Sequence, residues 1–398
     1  MIGQQGWDLG LGSNAHNIAA EFSQDNNVLY INTPLDLNTL RQQWRNPKIQ
    51  YRIKVLLGLE KGLQKVSESL WVYTPRTLCL SVNWLRSGTL FRFFNRLNNR
   101  LFAGSIKTIT AQVGFKEYTL FNDSLIFLGL ELKEFLRPEK YIYYIRDYMI
   151  GVGYFRQHGP GAEAELIRKA DVVVANSEFL THYAAAYNAA SYYVGQGCDL
   201  SMFQVESPLA IPADLAAIPQ PRIGYVGYIT ASRLDLNLLT CLAQAKPDWN
   251  FVFVGPQDAP FQASILHQLP NVHFLGAKTS EQLPAYIRHF NVCLNPQLVN
   301  DITIGNYPRK IDEYLAMGKP VVATWTQTMK LFQDHVYLAS SLAGYLELIE
   351  KALVDHDDSK AAAGTAFARS HTWQASVQLI AAALEDQQPQ QKALAVQA

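Results

Sequence analysis

Two series of short apolar runs, each spaced as strands are when helices lie between them, restrict this chain to a layered α/β architecture. The first series passes through VLYIN (28–32), SLIFLG (124–129), YIYYI (141–145), ELIRKA (165–170) and DVVVANS (171–177). The second opens with RIGYVGYIT (222–230) and continues through NFVFVGP (250–256), NVHFLGA (271–277), NVCLNPQ (291–297) and VVAT (321–324). Short buried strands alternating with helices make a mostly parallel sheet covered on both faces. The second series has the spacing of a six-element Rossmann-like domain, whose ligands bind at the carboxyl ends of the strands.

Pro208, Pro212, Pro219 and Pro221 punctuate the stretch between the two series and predict a linker over 206–220. The 398 residues then divide into an N-terminal domain, 1–205, and a C-terminal domain, 221–370, each long enough to bury its own core. An amphipathic helix is expected over 371–386 and a flexible tail over 387–398. The content, 48% apolar and 17% charged, is that of a globular protein. No apolar run approaches the ~20 residues of a membrane span. The start, MIGQQGWDLG, lacks the basic and apolar parts of a secretory signal, so a protein that stays in the cytoplasm is expected. Cys79, Cys198, Cys241 and Cys293 are scattered singly, as reduced and mostly buried thiols are, without the pairing of a zinc site.

Charge is unevenly placed although its sum is zero: residues 41–116 carry fourteen basic side chains against two acidic ones, Glu60 and Glu68. Most of this segment reads as irregular. Within it, LFRFFNRLNNRLF (90–102) spaces Arg92, Arg96 and Arg100 four apart, with Phe93, Phe94, Leu97 and Leu101 able to form an apolar face. Such a helix either lies on an anionic membrane or packs on its own domain. No familiar nucleic-acid module accompanies the patch, and no nucleic-acid partner is expected.

The richest chemistry is in NYPRKIDEYLAMGKPVVAT (306–324). Pro308 suits the first position of a helix of ten residues, and Gly318-Lys319-Pro320 stops it. Lys310 and Glu313 are three residues apart and share a face. A lysine and free backbone N–H groups suit a diphosphate, and a carboxylate suits ribose hydroxyls. The same two side chains also suit a solvent-exposed ion pair.

Asn306, Pro308, Lys310, Glu313 and Tyr314, followed by Gly318 to Val322, resemble the nucleotide-sugar motif of family 4 glycosyltransferases. The likeness is nearest to a bacterial envelope subgroup that includes teichuronic-acid-type transferases. The resemblance implies the GT-B fold: two Rossmann-like domains with parallel sheets facing an interdomain cleft, and a C-terminal helix crossing back to the N-terminal domain. It implies transfer of a sugar, UDP-linked by expectation, to an envelope polysaccharide or lipid-linked glycan. The nucleotide sugar is then a co-substrate, and neither a cofactor nor a metal is required. The basic segment 41–116 would hold the enzyme peripherally on the inner face of the cytoplasmic membrane. Many members carry a second glutamate eight positions before Glu313; here that position is Gly305.

The resemblance also implies site residues. Asn306, Tyr307, Pro308, Lys310 and Glu313 would bind the donor. The loop after the strand at 222–226 contributes Gly227, Tyr228, where many members have arginine, and Arg233, where they have lysine; a surface partnership between Arg233 and Asp235 is the alternative. GQQGWD resembles the segment that follows the family's opening strand, and only Met1-Ile2 precede it here. Gly10, Gly12 and Ser13 would bring backbone to the donor or form a plain turn. Trp7, Asp8, Arg146 and His158 would line the acceptor side. Asp147 would be the general base of an inverting enzyme or orient the acceptor of a retaining one, or else pair with Arg146. Asp147, Lys310 and Arg233 are thus the catalytic candidates. A catalytically silent glycan-binding or scaffold protein is the alternative that the missing glutamate leaves open. A nicotinamide oxidoreductase is disfavoured, because GxGxxG with a ribose-binding acid is missing.

Overall fold

The computed structural model describes residues 1–8, 14–203, 209–355 and 357–385. It divides into two compact units, residues 1–195 with 376–398 and residues 196–375.

In the first unit the strands are β1 (Ile2–Gly3), β2 (Val28–Ile31), β3 (Leu35–Asp36), β4 (Leu63–Lys65), β5 (Leu70–Tyr73), β6 (Leu78–Cys79), β7 (Thr119–Asp123), β8 (Lys140–Ile145), β9 (Val172–Ala175) and β10 (Ser191–Tyr193). Eight of them form one sheet in the order β10-β9-β8-β7-β1-β2-β5-β4, parallel except for β4 against β5. β3 and β6 pair separately. The strand order reverses at β1, which lies between β2 and β7 although only two residues long. Its pairing sets the amide of Gln4 on the carbonyl of Asp123 at 3.3 Å.

The apolar run Ser124–Gly129 is not a strand: Ile126–Gly129 is a short helix, and the strand lies just upstream in TLFND. The segment 41–116 is also more ordered than its composition suggests. It contains the helix Pro47–Leu56, strands β4 to β6 and a 26-residue helix, Gly88–Val113, capped by Ser87 and ended by Gly114 at φ 83°.

The second unit is a single parallel sheet of β11 (Arg222–Val226), β12 (Asn250–Val254), β13 (Val272–Phe274), β14 (Val292–Asn295), β15 (Val321–Thr324) and β16 (Tyr337–Ala339). Their order, β13-β12-β11-β14-β15-β16, is the 3-2-1-4-5-6 arrangement of a Rossmann domain. The ligand crevice of such a sheet opens where the order reverses, outside the carboxyl ends of β11 and β14. Val252, Val254, Cys293, Ile311, Tyr314 and Val321 pack on one side of this sheet, each fully buried side chain of this size contributing about 1.5–3 kcal/mol.

The division falls after Gly195, earlier than the proline pattern suggests, because Cys198, Leu200 and Phe203 are buried in the second unit's core. Part of the expected linker is core as well: Leu215 and Ile218 are buried there, and Ala213–Ala216 forms a helical turn. The terminal helix spans Trp373–Glu385 and is grouped with the first unit from Ser376 onward; the expected tail lies outside the described residues. Of the four free cysteines, Cys79, Cys198 and Cys293 are buried and Cys241 is exposed.

Candidate functional site

The chain leaves β11 at Gly227 and β12 at Gly255, and these two glycines shape the carboxyl edge of the second sheet. Gly227 has φ 135° and Gly255 φ 149°, values that favour glycine. A Cβ on Gly255 would lie 1.9 Å from the Gly227 carbonyl oxygen, so backbone passes directly over backbone. A Cβ on Gly227 would lie 3.0 Å from the Nζ of Lys310. Lys310 therefore stands at the carboxyl end of β11, beside the crevice.

What holds Lys310 there is Tyr225, a residue the sequence did not single out. The ammonium lies 4.0 Å from the centroid of the Tyr225 ring and donates to its hydroxyl, which in turn donates to the carbonyl of Tyr228 at 3.2 Å. Lys310 and Glu313 form no ion pair, so the two are not the self-satisfied pair of the alternative reading. The helix that carries them, Lys310–Ala316, is seven residues rather than ten. Pro308 accepts from the amide of Ile311 in a preceding turn, and Gly318 at φ 66° ends the helix. It is docked by Tyr314, fully buried, whose hydroxyl accepts from the amide of Val226 at 2.8 Å. Glu313 is partly buried, and burial raises its pKa against the pull of Arg309 and Lys310.

The neighbouring Asp312 points the other way. It is fully buried, receiving the Tyr307 hydroxyl at 2.9 Å and the Nδ1 of His371 at 2.7 Å. Burial raises its pKa, with His371 as the main opposing influence. Tyr307, expected to touch the donor, is thus a buried core residue tying Asp312 and His371 together. Asn306 remains partly buried and Pro308 is buried.

Arg233 is exposed, on a loop fixed from below. Asp258 accepts from the Thr230 hydroxyl and the Ala231 amide, both at 2.8 Å, and Asn300 donates to the Ser232 carbonyl. Burial works against the charge of Asp258, but these bonds and that from the Phe261 amide hold its pKa below the ordinary value. Asp235 is not a partner of Arg233: it caps the helix Leu236–Ala245 through the amide of Leu238. Tyr228 is 57% exposed, available beside the crevice without a charge of its own.

In the first unit the reversal point at β1 carries a second cluster. Asp123 ends β7, fully buried, and its Oδ1 lies 3.0 Å from the Nε of Arg146, just past the end of β8. Burial raises the pKa of Asp123, partly offset by Arg146. The partner of Arg146 is therefore Asp123 and not Asp147, and the sequence concealed it because the apolar run that suggested a strand lies downstream of the true one. Asp147 is partly buried beside this pair, its carboxylate in no hydrogen bond or ion pair among the described residues.

The Trp7 ring lies tilted against His16, centroids 4.5 Å apart, and against Tyr30 at 5.1 Å. Burial lowers the pKa of His16. Asp8 is bound by Arg52 at 2.9 Å. His158 is used in packing: its ring lies 4.1 Å from that of Phe91, stacked, and its Nε2 meets the Leu85 carbonyl. Gly10, Gly12 and Ser13 lie outside the described residues.

Residues 220–363 match the family described as glycosyl transferases group 1. Over 185 residues the chain is 29% identical to "Putative teichuronic acid biosynthesis glycosyltransferase TuaH" of Bacillus subtilis (strain 168). That match covers 44% of this chain and 46% of TuaH, about half the length of each. Two solved structures extend over almost the whole chain. Anabaena Alr3699/HepE in complex with UDP has a TM-score of 0.63 at 15% identity, covering 96% of this chain and 98% of that one. Sucrose-phosphate synthase from Thermosynechococcus elongatus has a TM-score of 0.64 at 15% identity, covering 93% and 92%.

The fold is GT-B. Each of its two Rossmann-like units carries charged groups at the carboxyl edge of its sheet: Lys310, Glu313 and Arg233 in the second, Asp123, Arg146 and Asp147 in the first.

Proposed function

We propose that this chain is a glycosyltransferase that moves a sugar from a nucleotide diphosphate donor, UDP-linked, to an envelope polysaccharide or lipid-linked glycan. The observation that carries the reading is the ammonium of Lys310 held on Tyr225 at the carboxyl end of β11, with Glu313 one turn further along the same helix. The match of residues 220–363 to glycosyl transferases group 1 supports the donor chemistry. The UDP bound to Alr3699/HepE supports the nucleotide, and the name of TuaH supports an envelope acceptor.

In the transfer, the acceptor hydroxyl oxygen bonds to the anomeric carbon. The bond from that carbon to the β-phosphate oxygen breaks, and its electron pair leaves with UDP. Lys310 and Arg233 stabilise the charge that develops on the diphosphate, Arg233 through its planar fork. Glu313 accepts from the ribose hydroxyls. Asp147, a carboxylate bonded to no side chain among the described residues, takes the proton of the acceptor hydroxyl if the enzyme inverts, with Arg146 held beside it by Asp123. The two cations meet the diphosphate charge in this reading, so a resident metal is not needed. The enzyme works peripherally on the inner face of the cytoplasmic membrane, drawn to anionic lipid by the basic residues of 41–116.

UDP release measured over a panel of UDP-sugars, with and without a chelator, tests the reading. Release from at least one donor, undiminished by the chelator, is expected. UDP binding with no release from any donor would replace it by the silent glycan-binding protein that Gly305 leaves open, and loss of activity to the chelator would overturn the metal-free part.

A further inference from the structure

The helix Gly88–Val113 buries a different face from the one that Phe93, Leu97 and Leu101 mark out. Phe91, Phe102, Ala103, Ile106 and Ile109 face the core together with Asn95, Asn98 and Asn99. The asparagines are buried because each answers backbone groups of neighbouring segments. Asn95 and Asn99 donate to the Phe127 carbonyl at 2.8 and 2.9 Å, and Asn98 exchanges two bonds of 2.8 Å with the backbone of Leu80.

The opposite face carries Leu90 at 50% exposure, Phe93 at 66%, Leu97 at 39% and Leu101 at 44%. At helical spacing these four form one ridge, since steps of three, four and seven or eight residues return to the same side. Arg96, Arg100 and Lys107 flank the ridge on one side, all exposed, and the whole 26-residue helix contains no aspartate or glutamate. Trp84, 70% exposed, stands just before the helix.

We infer that this outer face is a docking surface for an anionic phospholipid bilayer. The ridge Leu90–Phe93–Leu97–Leu101 enters the boundary of the acyl layer, and the flanking cations meet the lipid phosphates. A bilayer is favoured over a protein partner because the helix presents an apolar strip with cations alongside and no carboxylate of its own; Arg96 is shared with Glu131 at 3.3 Å, and Arg100 and Lys107 stand in no ion pair among the described residues. No described helix is long and apolar enough to cross a membrane, so this is attachment from one side.

The ridge also occupies the N-terminal half of the helix. That half packs against Phe127 and His158, which come after the carboxyl ends of β7 and β8 where Asp123, Arg146 and Asp147 lie. The C-terminal end of the helix instead leads to the start of β7. Docking through the ridge would therefore turn the acceptor-side edge of the first unit toward the lipid surface. This orientation rests on the reading that the acceptor is lipid-linked; the docking itself does not.

The test uses the full chain in sedimentation with vesicles of phosphatidylcholine alone or mixed with phosphatidylglycerol. Wild type is expected to bind the mixed vesicles. Phe93→Ser combined with Leu97→Ser and Leu101→Ser is expected to weaken that binding at least about tenfold at moderate salt, with unchanged circular dichroism and UDP affinity. Arg96→Gln with Arg100→Gln and Lys107→Gln should remove the preference for anionic lipid. Leu97→Cys in a Cys241→Ser background, labelled with an environment-sensitive fluorophore, should report an apolar surrounding on vesicle addition, the other three thiols being buried. Wild-type binding by the folded apolar variant, a probe that stays in water, or a wild-type dimer that the apolar variant converts to monomer would each overturn the proposal. Vesicle binding without sugar transfer would sink the transferase reading and leave the docking surface standing.

Discussion

The ammonium of Lys310 lies 4.0 Å from the ring centroid of Tyr225 and is bonded to its hydroxyl, joining the helix Lys310–Ala316 to the first strand of its sheet. The aromatic face and the hydroxyl together hold a cation where the crevice opens, before any donor arrives. Lys310→Ala should lower turnover by roughly 10²–10³-fold, the scale for removing one preorganised group that meets developing charge. Tyr225→Phe keeps the ring and loses only the hydroxyl, so a loss of less than about tenfold is expected. Glu313→Gln should mainly weaken UDP binding. Steady-state kinetics and calorimetry with UDP check all three, and unchanged values in Lys310→Ala and Glu313→Gln would remove both from the donor site.

Asp147 lies beside the Asp123–Arg146 pair, its carboxylate bonded to no side chain among the described residues. Asp147→Asn should reduce transfer by about 10²–10⁴-fold in an inverting enzyme and leave UDP affinity unchanged. The product anomer is to be read by NMR in the same experiment. Retention of configuration would exclude the base role, and near-normal transfer would exclude any catalytic role.

Of the described glycines in the second unit, Gly255 is the one at which an added Cβ would come nearest to another backbone atom. Gly255→Ala adds a Cβ 1.9 Å from a carbonyl oxygen at φ 149°, which the backbone accommodates only by shifting. A loss of more than about 2 kcal/mol in stability is expected, read as a lower Tm of this unit. Gly153→Ala, with open space around it, is the matched control and should be nearly neutral.

Glu163, on the helix Gly159–Lys169, is buried and accepts from the hydroxyls of Tyr143 at 2.7 Å and Tyr183 at 3.0 Å. Burial pushes its pKa from the ordinary 4.5 to about 7. The folded state therefore binds this proton more tightly than the unfolded state. The associated stabilisation is complete below about pH 4.5 and is lost as pH rises through about 7, a change of roughly 3 kcal/mol. Urea denaturation of wild type between pH 5 and about 8 should show this fall superimposed on the other titrations, and Glu163→Gln should flatten it. An identical pH profile in the variant would assign the dependence to other groups.

Much of the second unit was legible because its determinants are local. Each strand of β11, β12, β14 and β15 is a run of apolar residues next to a turn signal. Gly318 ends its helix through a backbone angle that depends on no distant residue. Lys310 and Glu313 could be paired from sequence because three residues is less than one helical turn.

The remaining decisions required partners far apart in the chain. Asp123 and Arg146 meet only because β7 and β8 are neighbours in register, and Tyr225 reaches Lys310 only because β11 ends beneath the helix at 310–316. Tyr307 looked like a donor contact from its place in the motif, but burial with Asp312 and His371 assigned it to the core.

The sequence by itself determined that this chain would alternate strands and helices in two series and would carry a charged motif before β15. Which way the helix at 88–113 would turn was decided by the tertiary structure. Hydrophobic periodicity marked Phe93, Leu97 and Leu101 as an apolar face and left open whether the domain or a membrane would cover it; the fold turned the other face inward, where backbone groups at Phe127 and Leu80 are met by Asn95, Asn98 and Asn99. Leaving buried carbonyls without donors costs on the order of 1–3 kcal/mol each, comparable to burying a large apolar side chain, and those carbonyls become visible only once the fold has formed.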